Sequence, residues 1–338
     1  MFEYMEMTGF AWLGIDIAKQ KFDVTLNWNS RRRAKVFRND AEGWQALLRW
    51  LKDLGVDQVH ACLEATGRYG DGLALHLHDA GHRVSIVNPA QIKHFGRAKL
   101  GRNKTDRADA ALICDYCRLF EPAAWTPPSA ALRQLRELVR TREALTASRV
   151  EWTNRRNSGQ GSVAADAAMA GVIARLEAEI VALDQAIEDA IGQNEDLRAK
   201  HDLLVSVPGI ATHTAAVILS EMPGPEVLRT AREAAAYAGL NPSHRQSGSS
   251  LDAPSRISRI GNATLRAALY FPALAALRWN PLVAALRQRL KDQGRLKPKQ
   301  IVGAAMRKLL HLCFGVLKTG KPFDPNHATA TDETAATT

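Results

Sequence analysis

Acidic residues nearly vanish from one part of this 338-residue chain: residues 255–323 hold a single acid, Asp292, among 14 basic residues. A protein that merely happened to be basic would spread its charge more evenly. Here residues 201–338 carry 17 Lys+Arg against 9 Asp+Glu, while the first 200 carry 28 against 26. That one-sided cluster is the electrostatic footprint of a polyanionic partner, most simply nucleic acid. Cysteine is scarce as well. The four residues Cys62, Cys114, Cys117 and Cys313 exclude a disulfide framework and point to a reduced, cytoplasmic setting. Cys114 and Cys117 form one C-x-x-C, but no second pair stands at zinc-ribbon spacing, so they read as two semi-buried thiols on one helical turn. No apolar run reaches bilayer length, which excludes a membrane partner; the most apolar piece, residues 267–277, contains Pro272 and suits a buried helix. The N-terminal MFEYMEMTGF lacks the basic n-region of a signal peptide. A nucleotide-binding P-loop is also missing, so no energy cofactor is expected.

What is present falls into segments. Residues 10–40 read as three short strands, with apolar alternation through residues 12–17 and 22–26. AEGWQALLRWLKDLG has helical spacing and stops at Gly55. A strand ending at Glu64, a helix at DGLALHLHDAGH and a strand closed by Pro89 follow, giving an α/β domain whose sheet begins antiparallel. EPAAWTPPSA reads as a linker. Two long helices are expected at about 130–156 and 165–200, with a turn at NSGQGS. In the second, Ile173, Leu176, Ile180, Leu183 and Ile187 follow an a/d spacing for two heptads. That seam suits either a coiled-coil assembly surface or a helix packing on its own domain. Beyond residue 201 the chain reads as helical with loops, one of them GLNPSHRQSGSSLDAPSR, and the tail HATATDETAATT as disordered.

Several residues carry chemistry. Asp16 sits inside the apolar strand LGIDIAK, where an ionised carboxylate is costly unless paired or metal-bound. Glu64 closes a later strand, at the end where α/β folds gather ligands. Asp106 and Asp109 are three apart in GRNKTDRADA and share a face if that segment starts a helix, although such a pair is commonly just a solvated face. Four carboxylates from two strands and a helix can converge into an oxygen-only pocket suited to Mg2+ or Mn2+. Arg102, Lys104 and Arg107 would then lean on phosphates. LLVSVPGIATHTAAVILSEM reads helix, Pro-Gly turn, helix: either a phosphate-holding helix-hairpin-helix or a plain αα-hairpin. In HRQSGSSLDAPSRISRIG, Ser247, Ser249 and Ser250 share a loop with Arg245, Arg256 and Arg259. Composition favours a phosphate-binding loop there, and a serine nucleophile is the alternative. Lys297 and Lys299 are expected to touch phosphates.

In order along the chain, GIDIAK, CLEATGRY, RNKTDRADA, VPGI, AGLNPSHRQSGSS, RISRIGNATLRAALY and GVLKTGKPFD resemble the DEDD-type bacterial transposases of the insertion sequence 110 family, the bridge-RNA-guided recombinases. The resemblance covers nearly the whole chain. It implies a RuvC-like domain with an RNase H fold at 1–125, a helical coiled-coil hairpin at 126–200, a mainly α transposase domain at 201–323 and a disordered tail at 324–338. It implies that Asp16, Glu64, Asp106 and Asp109 hold Mg2+ and that Ser247, by motif position, is the nucleophile, with Ser249 and Ser250 close beside it. Its implied partners are donor and target double-stranded DNA, a structured guide RNA and further copies of the chain, as a tetramer. Ala211 departs from the family's commoner glycine at the hairpin turn, outside the catalytic set.

Overall fold

The computed structural model describes residues 11–65, 68–99, 106–159, 161–247, 251–294 and 296–326; for residues 68, 106, 107, 243–247 and 251–256 it describes the backbone alone. The chain divides into two compact units, Met1–Pro127 and Pro128–Thr338.

The first unit is a five-stranded sheet with helices on both faces. Its elements are β1 (Ala11–Ile17), β2 (Lys21–Trp28), β3 (Arg31–Arg38), α1 (Ala41–Asp53), β4 (Val59–Glu64), α2 (Asp71–Asp79), β5 (Arg83–Val87), α3 (Pro89–Ala98) and α4 (Asp106–Phe120). The strand order is β3-β2-β1-β4-β5. β2 runs antiparallel to both neighbours, while β4 is parallel to β1 and to β5. This is the RNase H topology. Period-two alternation sorts the side chains. Leu13, Ile15, Phe22, Val24, Leu26, Ala61 and Leu63 turn to one face and bury against Leu47 and Leu51 of α1 and Leu73 and Leu77 of α2. Cys62, Val87 and Trp12 turn to the other face, beneath Ile92 of α3 and Ile113, Tyr116 and Cys117 of α4.

Gly14 explains why α4 lies so close. A Cβ there would collide with the Cys114 amide nitrogen and the Ala110 carbonyl oxygen, so only glycine lets α4 cross β1 at backbone contact. The Cys114 thiol donates to Trp12 O at 3.4 Å and the Cys117 thiol to His60 O at 3.5 Å. Both thiols are fully buried, where semi-burial was expected. Burial pushes the Cys114 thiol up to about 11, and hydrogen bonding with Cys62, then burial, raises Cys117 too. These are packing thiols, not reactive ones.

The second unit is helical apart from one hairpin. It contains α5 (Ala130–Asn157), α6 (Val163–Gly192), α7 (Glu195–Val205), α8 (Thr212–Glu221), α9 (Ala231–Tyr237), β6 (Pro242–Ser247), β7 (Leu251–Ile257), α10 (Ala263–Ala268), α11 (Tyr270–Trp279), α12 (Pro281–Asp292) and α13 (Pro298–Thr319). α5 and α6 form an antiparallel pair. Arg142–Asp184 at 2.8 Å, Arg149–Glu177 at 3.8 Å and Arg156–Asp166 at 2.8 Å tie the pair at successive sevenfold steps of α5. Ile180 and Ile187 of the a/d seam are buried, and Leu135, Val139, Ile187 and Ile191 root both helices in the unit's core. Gly209, at φ +105°, closes the α7–α8 turn against α11, where a Cβ would meet Ala276 Cβ at 2.9 Å and Pro272 O at 3.1 Å.

Three expectations need correcting. The Ser-rich segment read as a loop is the antiparallel hairpin β6–β7, with Ser247 paired to Leu251. The apolar piece read as one buried helix is broken at Leu269, and α11 buries only Ala273 and Ala276 while Phe271 and Trp279 are 77% and 66% exposed. Among the described residues α13 is the single helix long and apolar enough to cross a membrane by length and composition, while the segment containing that piece passes only together with α12, as a pair bent by 86°. The apolar face of α13, from Ile301 through Ala305, Leu309 and Cys313 to Val316, is buried in the protein.

Candidate active site

The sheet register brings two of the expected acids together. Parallel pairing sets Gly14 beside Cys62 and Ile15 beside Leu63. One step further, Asp16 and Glu64 end neighbouring strands side by side, about 5 Å apart in strand spacing. Both lie on the face that Gly14 opens to α4. That helix descends toward them: Cys114 meets Trp12, and Ala110 meets Gly14. Its first turn, carrying Asp106 and Asp109, therefore lies toward the Asp16 end of β1. Asp109 is half-buried, and Asp106 is placed by its backbone alone. Asp106 and Asp109 share a helix face with Ala110 and Cys114, the residues that pack on the sheet.

Sequence reading missed a fifth acid. Asp23 of β2 is the direct antiparallel partner of Asp16, on the same face, and is buried with its carboxylate 3.3 Å from Lys21 Nζ. Only the strand register reveals it. Among the described residues no three His, Cys, Asp or Glu side chains cluster tightly enough to hold a metal ion as they stand. The donor set still fits a hard divalent cation in its chemistry, since every candidate ligand is a carboxylate.

The basic candidates scatter. Arg102 and Lys104 lie outside the described residues, and Arg107 is known by its backbone in α4. Arg245 and Arg256 are backbone positions on β6 and β7. Arg259 is exposed and holds a left-handed φ of 57°. Lys297 stands just before α13 and Lys299 in its first turn, both exposed.

Ser247 is the last residue of β6, and the three residues before β7, Gly248, Ser249 and Ser250, lie outside the described residues. The root of the hairpin is firmly held. Ser258 N donates to Asn241 O at 2.8 Å, Arg259 N to Gly239 O at 3.1 Å and Asn262 N to Tyr237 O at 2.7 Å. A Cβ on Gly261, at φ +140°, would run into Tyr237 O. Beneath lies a second feature invisible in the sequence. Glu221, only 2% exposed, takes two hydrogen bonds from Arg140 at 2.6 and 3.0 Å and one from Asn262 Nδ2 at 2.8 Å. Burial pushes the Glu221 carboxyl up, but the bonds from Arg140 and Asn262 and the charges of Arg140 and Arg136 outweigh it and hold the group below the usual range. Asn262 also caps α10 through Leu265 N at 2.9 Å. The long helix α5, the end of α8 and the exit of the Ser247 hairpin thus meet on one buried carboxylate.

Comparison with known proteins gives the family. Residues 13–158 match the DEDD-type insertion sequence 110 model, described as "Transposase", and residues 201–288 match "Transposase IS116/IS110/IS902 family". The pilin gene-inverting proteins of Moraxella bovis and Moraxella lacunata are each 31% identical over 316 residues, covering 93% of this chain and 97% of theirs. In shape, T. thermophilus RuvC in complex with Holliday junction substrate covers 34% of this chain and 99% of its own, at 14% identity and a TM-score of 0.27. The strand order and the sequence matches define the class: an RNase H-fold transposase, an enzyme that cleaves and rejoins DNA. More particularly, the chain belongs to the insertion sequence 110 family of transposases and site-specific recombinases.

Proposed function

We propose that this transposase exchanges DNA strands through a covalent serine link, with a divalent cation, Mg2+ in the first instance, held by Asp16, Glu64, Asp106 and Asp109. The observation that carries the reading is the convergence of β1, β4 and the first turn of α4 on one sheet face, made possible by Gly14. The cation, when bound, would activate an attacking hydroxyl and stabilise the negative charge that builds on the phosphoryl oxygens. The chain's own residues supply the rest. Ser247 Oγ attacks the phosphodiester; a Ser–O–P bond forms as the P–O bond to the leaving strand breaks, and the leaving oxygen takes a proton. A DNA hydroxyl then attacks that link, sealing the new strand and returning the serine hydroxyl. Phosphoester energy is conserved, in keeping with a sequence that has no P-loop.

In this reading residues 1–125 form the acid-bearing domain, 126–200 the helical arm and 201–323 the serine-bearing domain. Acids and serine sit in different compact units, so one centre can be completed by two copies of the chain, and a tetramer holds donor and target DNA together. A structured guide RNA specifies both DNAs, and Arg102, Lys104, Arg107, Arg245, Arg256, Arg259, Lys297 and Lys299 contact phosphates. The work takes place at the nucleoid, in the cytoplasm.

Substituting Asp16, Glu64, Asp106 or Asp109 by Ala should each abolish recombination while leaving the melting curve and nucleic-acid binding near wild type, because losing one ligand misplaces the cation and leaves the remaining anions repelling. Recombination assays and thermal melts on the four variants check this. Wild-type activity in two of them removes the four-acid site. A hydrolytic junction nuclease on the same fold would keep cutting DNA when Ser247 is replaced by Ala, so cleavage by that variant separates the two chemistries.

A further inference from the structure

The near-neutral charge of the first 200 residues conceals a local concentration. β3 reads RRRAKVFR: five cations and no acid in eight residues. It is an edge strand, paired with β2 alone. All of it is exposed except Phe37, and even Val36 is 52% exposed. Directly across the ladder no carboxylate faces a β3 cation. Arg31, Arg32, Arg33 and Lys35 pair with Trp28, Asn27, Leu26 and Val24, and Arg38 pairs with another cation, Lys21. Like charges directly opposite are destabilising. Arg32 does reach Asp115 of α4, Arg38 reaches Asp40 at 2.8 Å, and Lys35 lies over the Phe37 and Trp50 rings. Arg31 and Arg33 make no ion pair among the described residues.

The strand also points somewhere. Val36 pairs with Asp23, and Asp23 with Asp16, so β3 runs two strand spacings, about 10 Å, from the acid row. Its last residue, Arg38, lines a cleft with Gln20, Lys21, Asn39 and Asp40 at that end of the sheet. Its first, Arg31, lies some seven residues away toward the rim, so the strand is about 24 Å long, roughly seven base-pair steps of duplex DNA.

We infer that the β3 edge is a phosphate track for duplex DNA, holding along the sheet edge a stretch of double helix that flanks the cut; by register Arg31, Arg33 and Lys35 stand on the α1 face of that edge, and Arg32 and Arg38 on the face of Asp23 and Asp16. Charge complementarity commits the surface to a polyanion, and membership of a family that cuts DNA commits that polyanion to duplex DNA. That the held duplex flanks the cut rests on the reading that the acids mark the cut; the track itself rests on charge, exposure and register. Edge cations can also serve only to keep sheet edges from pairing, and the test separates the two.

The full-length protein with Arg31→Gln and Arg33→Gln is titrated against a 40-base-pair duplex and, separately, a hairpin RNA, in the absence of divalent metal and at several salt concentrations. Losing two phosphate contacts should lower the slope of log affinity against log salt by about 2 on DNA and weaken duplex binding about tenfold at physiological salt. Arg31→Lys with Arg33→Lys keeps both charges and should keep the slope. An unchanged slope in the Gln pair would show that the charges only guard the edge. A loss confined to the RNA overturns the assignment to DNA. A loss as complete in the Lys pair as in the Gln pair marks a structural defect and also overturns it. Because neither metal nor Ser247 enters this measurement, failure of the serine mechanism leaves its outcome intact.

Discussion

Single residues divide into those whose role follows from local pattern and those whose role follows from distant partners. Asp16 stood out as a candidate because a lone acid in an apolar strand is costly, and Glu64 because it closes a strand. Asp23 did not, since its importance lies in facing Asp16 across a ladder. Glu221 did not either: its partners Arg140 and Asn262 are 81 and 41 residues away. That cluster makes a prediction. Arg140→Met strands a buried carboxylate and should cost about 2–4 kcal/mol, toward the low end of the range for a broken buried pair because Arg140 is one-third exposed. Adding Glu221→Gln should recover part of the loss, read as the melting temperature of the second unit. No recovery would mean that the carboxylate is not the strained partner. His60 gives a pH prediction. Burial first, then the Arg83 charge, lowers its pKa to about 4, with Nε2 2.8 Å from Ser85 Oγ. The folded form therefore resists the proton that the unfolded chain accepts near 6.5. Stability is full above that value and falls as pH drops from about 6.5 to 4, by up to about 3 kcal/mol. His60→Gln should flatten the pH dependence of the first unit's urea midpoint over that window; an unchanged slope would refute it.

At the scale of elements, the first unit was largely readable. Alternation marked β1 and β2, Gly55 and Pro89 punctuated the chain, and the order of strands and helices implied the sheet. The second unit was less so. β6 and β7 carry Pro242 and Pro254 and flank Gly248 and two serines, a composition that reads as loop. The hairpin forms because its root is tied to Gly239, Asn241 and Tyr237, contacts that no local window contains. Likewise, sequence alone left open whether the α6 seam was for assembly or for packing. Its buried isoleucines and the three ion pairs to α5 give it a partner within the chain. The contact that matters most for the site is α4 on β1. Gly14→Ala should push the helix off the strand, cost about 1–3 kcal/mol as overpacking, and lower recombination far more than duplex affinity. Urea unfolding, a recombination assay and a binding titration together check this, and full activity in a destabilised Gly14→Ala protein would detach the α4–β1 contact from the chemistry.

For the whole molecule, charge is the most legible property. The C-terminal excess announced a nucleic-acid partner, while the β3 concentration disappeared in an average over 200 residues that hold 28 basic and 26 acidic residues. The proposed division of chemistry rests on motif resemblance: the acids in one compact unit and Ser247 in the other share no local pattern that would join them. That division makes the serine the most exposed point of the account. A trapping DNA substrate incubated with the protein, guide RNA and Mg2+ should yield a protein–DNA adduct that survives denaturation, and peptide mapping should place it on Ser247. Ser247→Ala should lose adduct and recombination together yet still bind DNA, whereas Ser249→Ala and Ser250→Ala should keep the adduct. An adduct that moves to Ser249 or Ser250 would keep the mechanism and correct the residue; cleavage without any adduct, in the wild type as in the variants, would contradict serine-linked exchange.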